Sequence, residues 1–249
     1  MAYRNNEITK DKKILIIIPA YNEELSISKV ISGILQYPGI DVVVINDGSK
    51  DNTSAVARRS GADVIDLPFN LGIGGAVQTG YLYAFKNGYD IAVQCDADGQ
   101  HDSGYLMRII EPVRRGEADM VVGSRYVQAS GYKTPVARKI GMLIFAGLVS
   151  LITGQSLSDT TSGYRAVSKR VIKFFAHNYP TDFPEVEALV LLKRNGFTIK
   201  EVPVKMAHRE HGVSSITPVK SIYYMIKVLL AIFMNVLRAS KKEAKMDEI

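Results

Sequence analysis

The chain has 249 residues, 47% of them hydrophobic, and is long enough to bury the core of one large domain. Its net charge is +6, from 31 Lys and Arg against 25 Asp and Glu. This moderate, dispersed excess favours an anionic partner such as a nucleotide or a phospholipid over nucleic acid. The single cysteine, Cys95, excludes an internal disulfide and is typical of a reducing compartment. Residues 1–12 are polar and lack the apolar segment of a signal peptide, which predicts a cytoplasmic protein.

Short β-branched runs alternate with helical patterns through the first half of the chain. The predicted strands span 13–19, 41–47, 62–68, 90–96 and 119–122. The predicted helices lie near 23–36, 51–60, 74–87 and 102–115. Alternation at this spacing predicts an α/β fold in which a mostly parallel sheet is flanked by helices on both faces.

A glycine-rich loop, "NLGIGGAVQTG", occupies residues 70–80. A dinucleotide-binding fingerprint would follow the first strand, but that strand ends in "PAYNEE" at 19–24, which has no glycine. The sequence also contains no G-K-[ST] triplet, which excludes a P-loop. Two interpretations stay open for the glycines: close approach of the backbone to a bound nucleotide, or a tight turn.

Two acids and an amide follow the fourth predicted strand, in "VQCDADGQH" at 93–101. On an extended segment, Asp96 and Asp98 point the same way, at the strand end where α/β sheets bind ligands. Adjacent carboxylates repel unless a cation lies between them, and Gln100 offers a further oxygen. The pattern therefore favours a Mg²⁺ or Mn²⁺ site completed by substrate phosphates, although a solvated turn has the same composition.

Two apolar segments stand out in the second half, at 140–152 and 221–238. The first is entered through Arg138 and Lys139, and the second contains Lys227. Neither reaches the roughly 20 uninterrupted apolar residues that a bilayer crossing needs. They are consistent with ordinary core helices or with amphipathic helices lying at a membrane surface.

Six motifs, in this order, resemble those of inverting family 2 glycosyltransferases. The closest similarity is to the polyprenyl-phosphate branch, which includes dolichol-phosphate mannosyltransferases and bacterial undecaprenyl-phosphate glycosyltransferases. The motifs are "IIPAYNEE", "VINDGSKDNT", "NLGIGGAVQTG", "QCDADGQH", "VVGSRY" and "DTTSGYRA". The resemblance implies a GT-A domain at 13–215 with an amphipathic insertion at about 138–153. An amphipathic membrane-surface helix at 216–238 and a charged tail at 239–249 would follow.

The same resemblance implies roles for individual residues. Donor-nucleotide contacts are expected from Pro19, Tyr21, Asn22, Glu23, Asp47, Gly72 and Asp96. The metal, Mg²⁺ or Mn²⁺, is expected at Asp96, Asp98 and Gln100. Catalytic roles are expected for Asp98, Arg125 and Arg209, and acceptor-phosphate contacts for Arg125, Arg138, Arg165 and Ser214. Arginine suits such contacts because its planar fork donates two charge-assisted hydrogen bonds to a phosphate.

The implied reaction is metal-dependent, inverting transfer of a hexose from UDP-glucose, UDP-N-acetylglucosamine or GDP-mannose to undecaprenyl or dolichyl phosphate. The product would be a lipid-linked sugar for cell-surface glycan synthesis. The enzyme would be peripheral, at the cytoplasmic face of the cell membrane, and would not bind nucleic acid. Because some relatives carry C-terminal transmembrane helices and this chain ends sooner, we expect a small membrane-protein partner or self-association through 221–238 to complete its anchoring.

Several alternatives stay open from the sequence. The acceptor could be a non-lipid glycan, the chain could be a non-catalytic membrane-associated subunit, and a nucleotidyltransferase could share a similar sheet. Glu185 and Glu187 fit either a sugar-side contact or an acidic helix N-terminus. His208 and His211 lack a third ligand and are weak evidence for zinc.

Overall fold

A computed structural model of the chain describes residues 12–126, 147, 150, 154–155, 157–181 and 184–207. Within those residues, seven strands form one sheet. They are β1 (Ile14–Ala20), β2 (Ile40–Asn46), β3 (Asp63–Asp66), β4 (Ile91–Gln94), β5 (Met120–Ser124), β6 (Arg165–Ser168) and β7 (Ile199–Pro203). Their order across the sheet is β3-β2-β1-β4-β6-β5-β7.

The helices of the first half confirm the predicted alternation. They are α1 (Ile27–Ile34), α2 (Thr53–Arg59), α3 (Gly72–Lys86) and α4 (Leu106–Arg114), the last preceded by a short 3₁₀ turn at Ser103–Tyr105. Two further helices, α5 (Lys169–Asn178) and α6 (Pro184–Arg194), lie in the second half. α1 begins later than predicted because residues 21–26 form turns at the end of β1.

The sheet is mostly parallel, as predicted, with one reversed strand that was not. β1 is parallel to β2 and β4, β2 is parallel to β3, and β5 is parallel to β7. β6 is antiparallel to both of its neighbours, β4 and β5. The reversed strand begins at the carboxyl edge and runs away from it, so its first residue, Arg165, lies beside the last residue of β4, Gln94.

Strand β1 lies at the centre of the core and is buried along its whole length. Successive side chains point to opposite faces of a strand, and β1 therefore supplies both halves of the core. Leu15 and Ile17 pack on the face covered by α3, α5 and α6, whereas Ile16 packs on the face covered by α1 and α4. Apolar burial on both faces explains why the strand reads as a continuous apolar run.

The two terminal segments and the predicted membrane-surface segments lie mostly outside the described residues. This applies to nearly all of 1–12 and of the insertion at about 138–153, where Gly147 and Ser150 are helical. It applies in full to 216–238 and 239–249. Among the helices that the structure describes, none combines the length and apolarity needed to cross a bilayer.

Helix α3 rests on β1 through a glycine, which makes its packing testable. A Cβ added at Gly80 would overlap the side chain of Ile17. We expect Gly80→Ala to lower the free energy of unfolding by about 1–3 kcal/mol, because the rigid core cannot yield. The change should appear in urea denaturation. Lys86→Ala, at an exposed site of the same helix, should stay within about 0.5 kcal/mol of wild type. Equal effects for the two variants would contradict this packing.

Candidate active site

The predicted site residues that the structure describes gather at one edge of the sheet. β1, β2 and β4 run parallel, so the loops that follow them meet at their shared carboxyl edge. β5 ends at this edge, and β6 begins there. The motifs after β1, β2, β4 and β5 and the motif before β6 therefore surround one region.

The loops after β1 and β2 are locked together by hydrogen bonds. Asn22 has a φ of 56°, a left-handed conformation that asparagine tolerates better than most residues. Its N–H donates to Ser49 Oγ at 2.9 Å, and its Oδ1 accepts from the Lys50 N–H at 2.8 Å. The Glu23 N–H donates to Thr53 Oγ1 at 2.8 Å. The "PAYNEE" and "NDGSKDNT" motifs thus form one rigid unit.

Pro19 and Tyr21, two of the predicted nucleotide contacts, flank the last residue of β1. Pro19 is buried within the strand, where it is the register partner of Ile45. Tyr21 lies one residue beyond the strand and is 45% exposed. Tyr21 can therefore offer an aromatic face to a ligand, whereas Pro19 shapes the strand end.

Asp47 holds the glycine-rich loop. Its carboxylate, in a residue that is 4% exposed, accepts the N–H of Leu71 at 2.7 Å and that of Gly72 at 2.9 Å. Gly72 has a φ of 79° and begins α3. A Cβ at Gly48 would lie 2.9 Å from the Asn70 amide nitrogen. The loops after β2 and β3 therefore pack backbone to backbone, and Asp47 has a structural role alongside its predicted contact with the nucleotide.

The acidic motif forms a tight turn after β4. Asp98 is 7% exposed, and its Oδ1 accepts the N–H of Gln100 at 2.9 Å. Gly99, with a φ of 78°, permits the turn. The Asp96 side chain is 38% exposed. Burial, followed by the charges of Asp96 and Asp98, raises the pKa of the Cys95 thiol, so this cysteine is not a nucleophile.

The segment before β6 packs against this turn. A Cβ added at Gly163 would lie 3.0 and 3.1 Å from the two carboxylate oxygens of Asp96. Only a glycine leaves that space open beside the carboxylate. Two carboxylates and one amide are suitable oxygen donors for a hard divalent cation. In the part of the chain that the structure describes, no group of three or more His, Cys, Asp or Glu could hold a metal.

Arg125 is held by a buried carboxylate. Its Nε and Nη2 donate to the two oxygens of Asp159, each at 2.7 Å, and Nη2 also donates to Thr161 Oγ1 at 2.8 Å. The Asp159 side chain is fully buried, whereas that of Arg125 is 19% exposed. A bidentate pair of this kind fixes the plane of the guanidinium. Arg125 is thus oriented before any ligand arrives.

Glu201 fixes the loop that carries Asp159. Its carboxylate accepts the N–H groups of Ser158 and Asp159, at 2.8 and 2.7 Å. The Ser158 hydroxyl adds a further hydrogen bond at 3.0 Å. The edge strand β7 is therefore connected to Arg125 through Glu201 and Asp159.

Arg165, predicted to contact the acceptor phosphate, is buried and bonded to backbone carbonyls. The residue is 1% exposed. Its Nε donates to the carbonyl of Ser162 at 2.7 Å, and Nη2 donates to the carbonyls of Thr160 and Glu185 at 3.3 and 2.6 Å. A buried guanidinium engaged in this way ties the segment before β6 to the start of α6. Arg165 therefore has a structural role, and its contact with the acceptor phosphate stays a prediction.

The sequence was compared with models of protein families to identify the family of this chain. A model of glycosyl transferase family 2 matches residues 15–175. The chain belongs to glycosyltransferase family 2. The matched span contains every motif described above from β1 to β6, and the enzyme is therefore a glycosyltransferase.

Named relatives of this family 2 chain lie in the polyprenyl-phosphate branch. It is 33% identical to the UDP-N-acetylglucosamine–dolichyl-phosphate N-acetylglucosaminyltransferase of Methanococcus voltae, over 88% of this chain and 96% of the relative. It is 34% identical to the undecaprenyl-phosphate mannosyltransferase of Micrococcus luteus, over 82% and 88%. Glucosyl-3-phosphoglycerate synthase of Mycobacterium tuberculosis, solved with Mn²⁺, UDP and phosphoglyceric acid, superimposes with a TM-score of 0.69 at 21% identity, covering 94% and 83%. That likeness confirms the GT-A-like fold.

Some predicted residues of the family 2 site lie outside the described residues. They are Arg138, Arg209 and Ser214, together with His208 and His211, and their roles stay predictions. Glu185 and Glu187 lie in the first turn of α6, which matches the acidic helix N-terminus considered from the sequence.

Four residues that support the predicted site were not singled out from the sequence: His101, Asp159, Gly163 and Glu201. Three of them belong to quoted motifs, since His101 ends "QCDADGQH" and Asp159 and Gly163 lie in "DTTSGYRA". Their positions inside those motifs were the available signal. Glu201 offered no signal, because a lone acid in a short edge strand usually faces solvent.

The structural role of Arg165 can be separated from phosphate binding. In Arg165→Lys, a single ammonium replaces a fork that donates to three carbonyls. We expect the free energy of unfolding to fall by about 1–3 kcal/mol, measured by chemical denaturation. Arg170→Lys, whose side chain is 69% exposed, is the matched control and should be near neutral. Wild-type stability for Arg165→Lys with a raised KM for the acceptor would contradict the structural role and favour the predicted phosphate contact.

Proposed function

We propose that this glycosyltransferase transfers a hexose from a nucleotide sugar to a polyprenyl phosphate, with inversion at the anomeric carbon and dependence on Mg²⁺ or Mn²⁺. The observation that carries the proposal is the Asp96–Asp98 turn at the carboxyl edge, beside the space left by Gly163. The names of the relatives support the acceptor class, since they specify dolichyl and undecaprenyl phosphates.

The donor diphosphate would lie against the acidic turn. Asp96, Asp98 and Gln100 would hold the divalent cation, which when bound would neutralise the charge that develops on the leaving nucleoside diphosphate. The hydrogen bond from the Gln100 N–H to Asp98 keeps the turn closed, so that its oxygens need little reorganisation. A neighbour of the same fold was solved with Mn²⁺ and UDP, which supports a divalent cation as the proposed cofactor.

The nucleoside would lie over the joined loops after β1 and β2. Tyr21 is 45% exposed at this edge and can pack against a base or ribose. Asn22 and Glu23 have their backbone N–H groups engaged by Ser49 and Thr53, which gives the loop a fixed shape. A preformed loop lowers the conformational entropy lost on binding.

The acceptor chemistry explains why no general base is required. A phosphate monoester has a second pKa of about 6 and is largely dianionic at neutral pH, so its oxygen is already a nucleophile. The enzyme must position this oxygen opposite the leaving group and reduce its repulsion from the donor. Arg125, fixed by Asp159 and partly exposed, is the described cation suited to this task. Arg138, Arg209 and Ser214 are proposed to assist from outside the described residues.

The proposed lipid acceptor also suggests where in the cell the enzyme works. A polyprenyl chain stays in the bilayer, so the enzyme would work at the membrane surface, on the cytoplasmic face where nucleotide sugars are made. The apolar segments at 140–152 and 221–238 would contact lipid, a small membrane-protein partner or a second copy of the chain. The donor sugar is left to experiment because the named relatives transfer different sugars, N-acetylglucosamine and mannose.

A transfer assay tests the function directly. Labelled UDP-glucose, UDP-N-acetylglucosamine and GDP-mannose are each supplied with undecaprenyl phosphate and Mn²⁺ or Mg²⁺, with or without EDTA. We expect one donor to give a lipid-soluble product that EDTA abolishes. A parallel arm with 3-phosphoglycerate tests a soluble phosphate acceptor. Absence of lipid product from every donor, in the presence of native membranes, would overturn the proposed acceptor.

Substitution of Asp98 tests the acidic turn. We expect Asp98→Asn to reduce kcat/KM by about 10²-fold or more, because it removes a charge that would hold the cation at the diphosphate. Circular dichroism should show an intact fold. Asp63→Asn, the same change at the start of edge strand β3, should retain activity. Full activity in Asp98→Asn would exclude this turn as the metal and diphosphate site.

A further inference from the structure

Both nitrogens of the His101 imidazole lie close to Asp96. The backbone N–H of Asp96 donates to His101 Nδ1 at 2.9 Å. Because Nδ1 accepts, Nε2 carries the proton of the neutral ring. That Nε2 lies 3.5 Å from Asp96 Oδ2, which is long for a hydrogen bond but places an N–H dipole against the carboxylate. One ring therefore holds the backbone of Asp96 and faces its side chain.

The ring itself has little freedom to move. Its side chain is 3% exposed and stacks on Tyr164, with ring centroids 4.7 Å apart and planes 9° from parallel. The backbone of His101 forms an antiparallel bridge with Met206, and the neighbouring Gln100 carbonyl accepts the N–H of Ala207 at 2.9 Å. The segment after β7 thus closes over the turn, and His101 is fixed by stacking, burial and backbone pairing.

Gly163 also lies against the Asp96 carboxylate. A Cβ there would lie about as close as a carboxylate oxygen can tolerate, at 3.0 and 3.1 Å. The carboxylate therefore has the His101 ring and the Gly163 backbone as close neighbours, and its side chain keeps 38% exposure. The exposed part of the side chain is accessible to a ligand.

We propose that His101 is a positioning residue that sets the orientation of Asp96 for binding a divalent cation. The inference rests on the proposed metal-dependent function and extends it to a residue outside the ligand set. Metal-ligating carboxylates are commonly oriented by neighbouring polar groups, whose loss weakens metal affinity without removing a ligand. His101 fixes the backbone of Asp96 by accepting its N–H, and Nε2 faces the carboxylate. His101 acts through Asp96 and needs no contact with the cation or the substrate.

Two substitutions divide the functions of the ring. His101→Phe keeps the ring and its stacking on Tyr164 but removes both nitrogens. His101→Asn keeps an acceptor near the position of Nδ1 and so retains a partner for the Asp96 N–H, while losing the Nε2 proton. His177→Phe, on the exposed face of α5, is the matched control.

The readout is Mn²⁺ binding by electron paramagnetic resonance, in the presence of UDP or GDP. We expect His101→Phe to weaken Mn²⁺ binding by about 10–100-fold, with a smaller loss in His101→Asn and none in His177→Phe. The Mn²⁺ concentration for half-maximal transfer should rise in the same order, while kcat at saturating Mn²⁺ stays close to wild type. A merely structural role would lower kcat and Tm and leave Mn²⁺ affinity unchanged.

The outcomes distinguish this inference from the proposed function. If wild-type protein binds Mn²⁺ and His101→Phe binds it equally well, the positioning role is overturned and the metal proposal stands. If wild type binds no Mn²⁺ with either nucleotide, both are overturned. Should His101→Phe fail to fold, His101→Asn and Gly163→Ala carry the test. Gly163→Ala should weaken Mn²⁺ binding by crowding Asp96, and unchanged affinity in both would overturn the inference.

Discussion

The reversed strand β6 is the constraint on which the site depends. Its register with β4 pairs Gln94 with Arg165. Continued past the strand ends, this pairing brings Tyr164 beside Cys95 and Gly163 beside Asp96. The observed closeness of Gly163 to the Asp96 carboxylate agrees with that continuation. Two segments far apart in sequence therefore form one site because of the direction of a four-residue strand.

Around this pairing, several charged side chains form their hydrogen bonds with backbone groups. Asp47 and Glu201 accept backbone N–H groups, and Arg165 donates to backbone carbonyls. Charged side chains used in this way shape loops that lack regular secondary structure, because each replaces hydrogen bonds that the loop backbone would otherwise lose on burial. Arg125 and Asp159, by contrast, form an ion pair of side chains. The site combines loops fixed by charge–backbone contacts with a small number of groups left accessible at the edge.

Much of the parallel half of the fold could be predicted from sequence, since apolar strands such as "ILIIIPA" and periodic helices produce strong local patterns. β6 and β7 could not, because "RAVS" and "IKEVP" are short and their pairing is decided by distant strands. Within the site, the acidic turn was readable because Asp96 and Asp98 follow a strand. Burial was not readable, because it depends on how distant segments pack. The backbone contacts of buried Arg165 and the contact between His101 and Asp96 were therefore not predicted.

The hydrogen bonds from Leu71 and Gly72 to Asp47 limit how the specificity for the nucleotide-sugar donor can be engineered. Because its oxygens already hold two backbone N–H groups, recoding position 47 would release the start of α3 along with any ligand contact. Libraries of substitutions are better placed at exposed residues of the same loops, such as Tyr21 and Phe69, which are 45% and 64% exposed. Asp47 is thus a fixed structural residue, whereas Tyr21 and Phe69 can be substituted without disturbing the sheet.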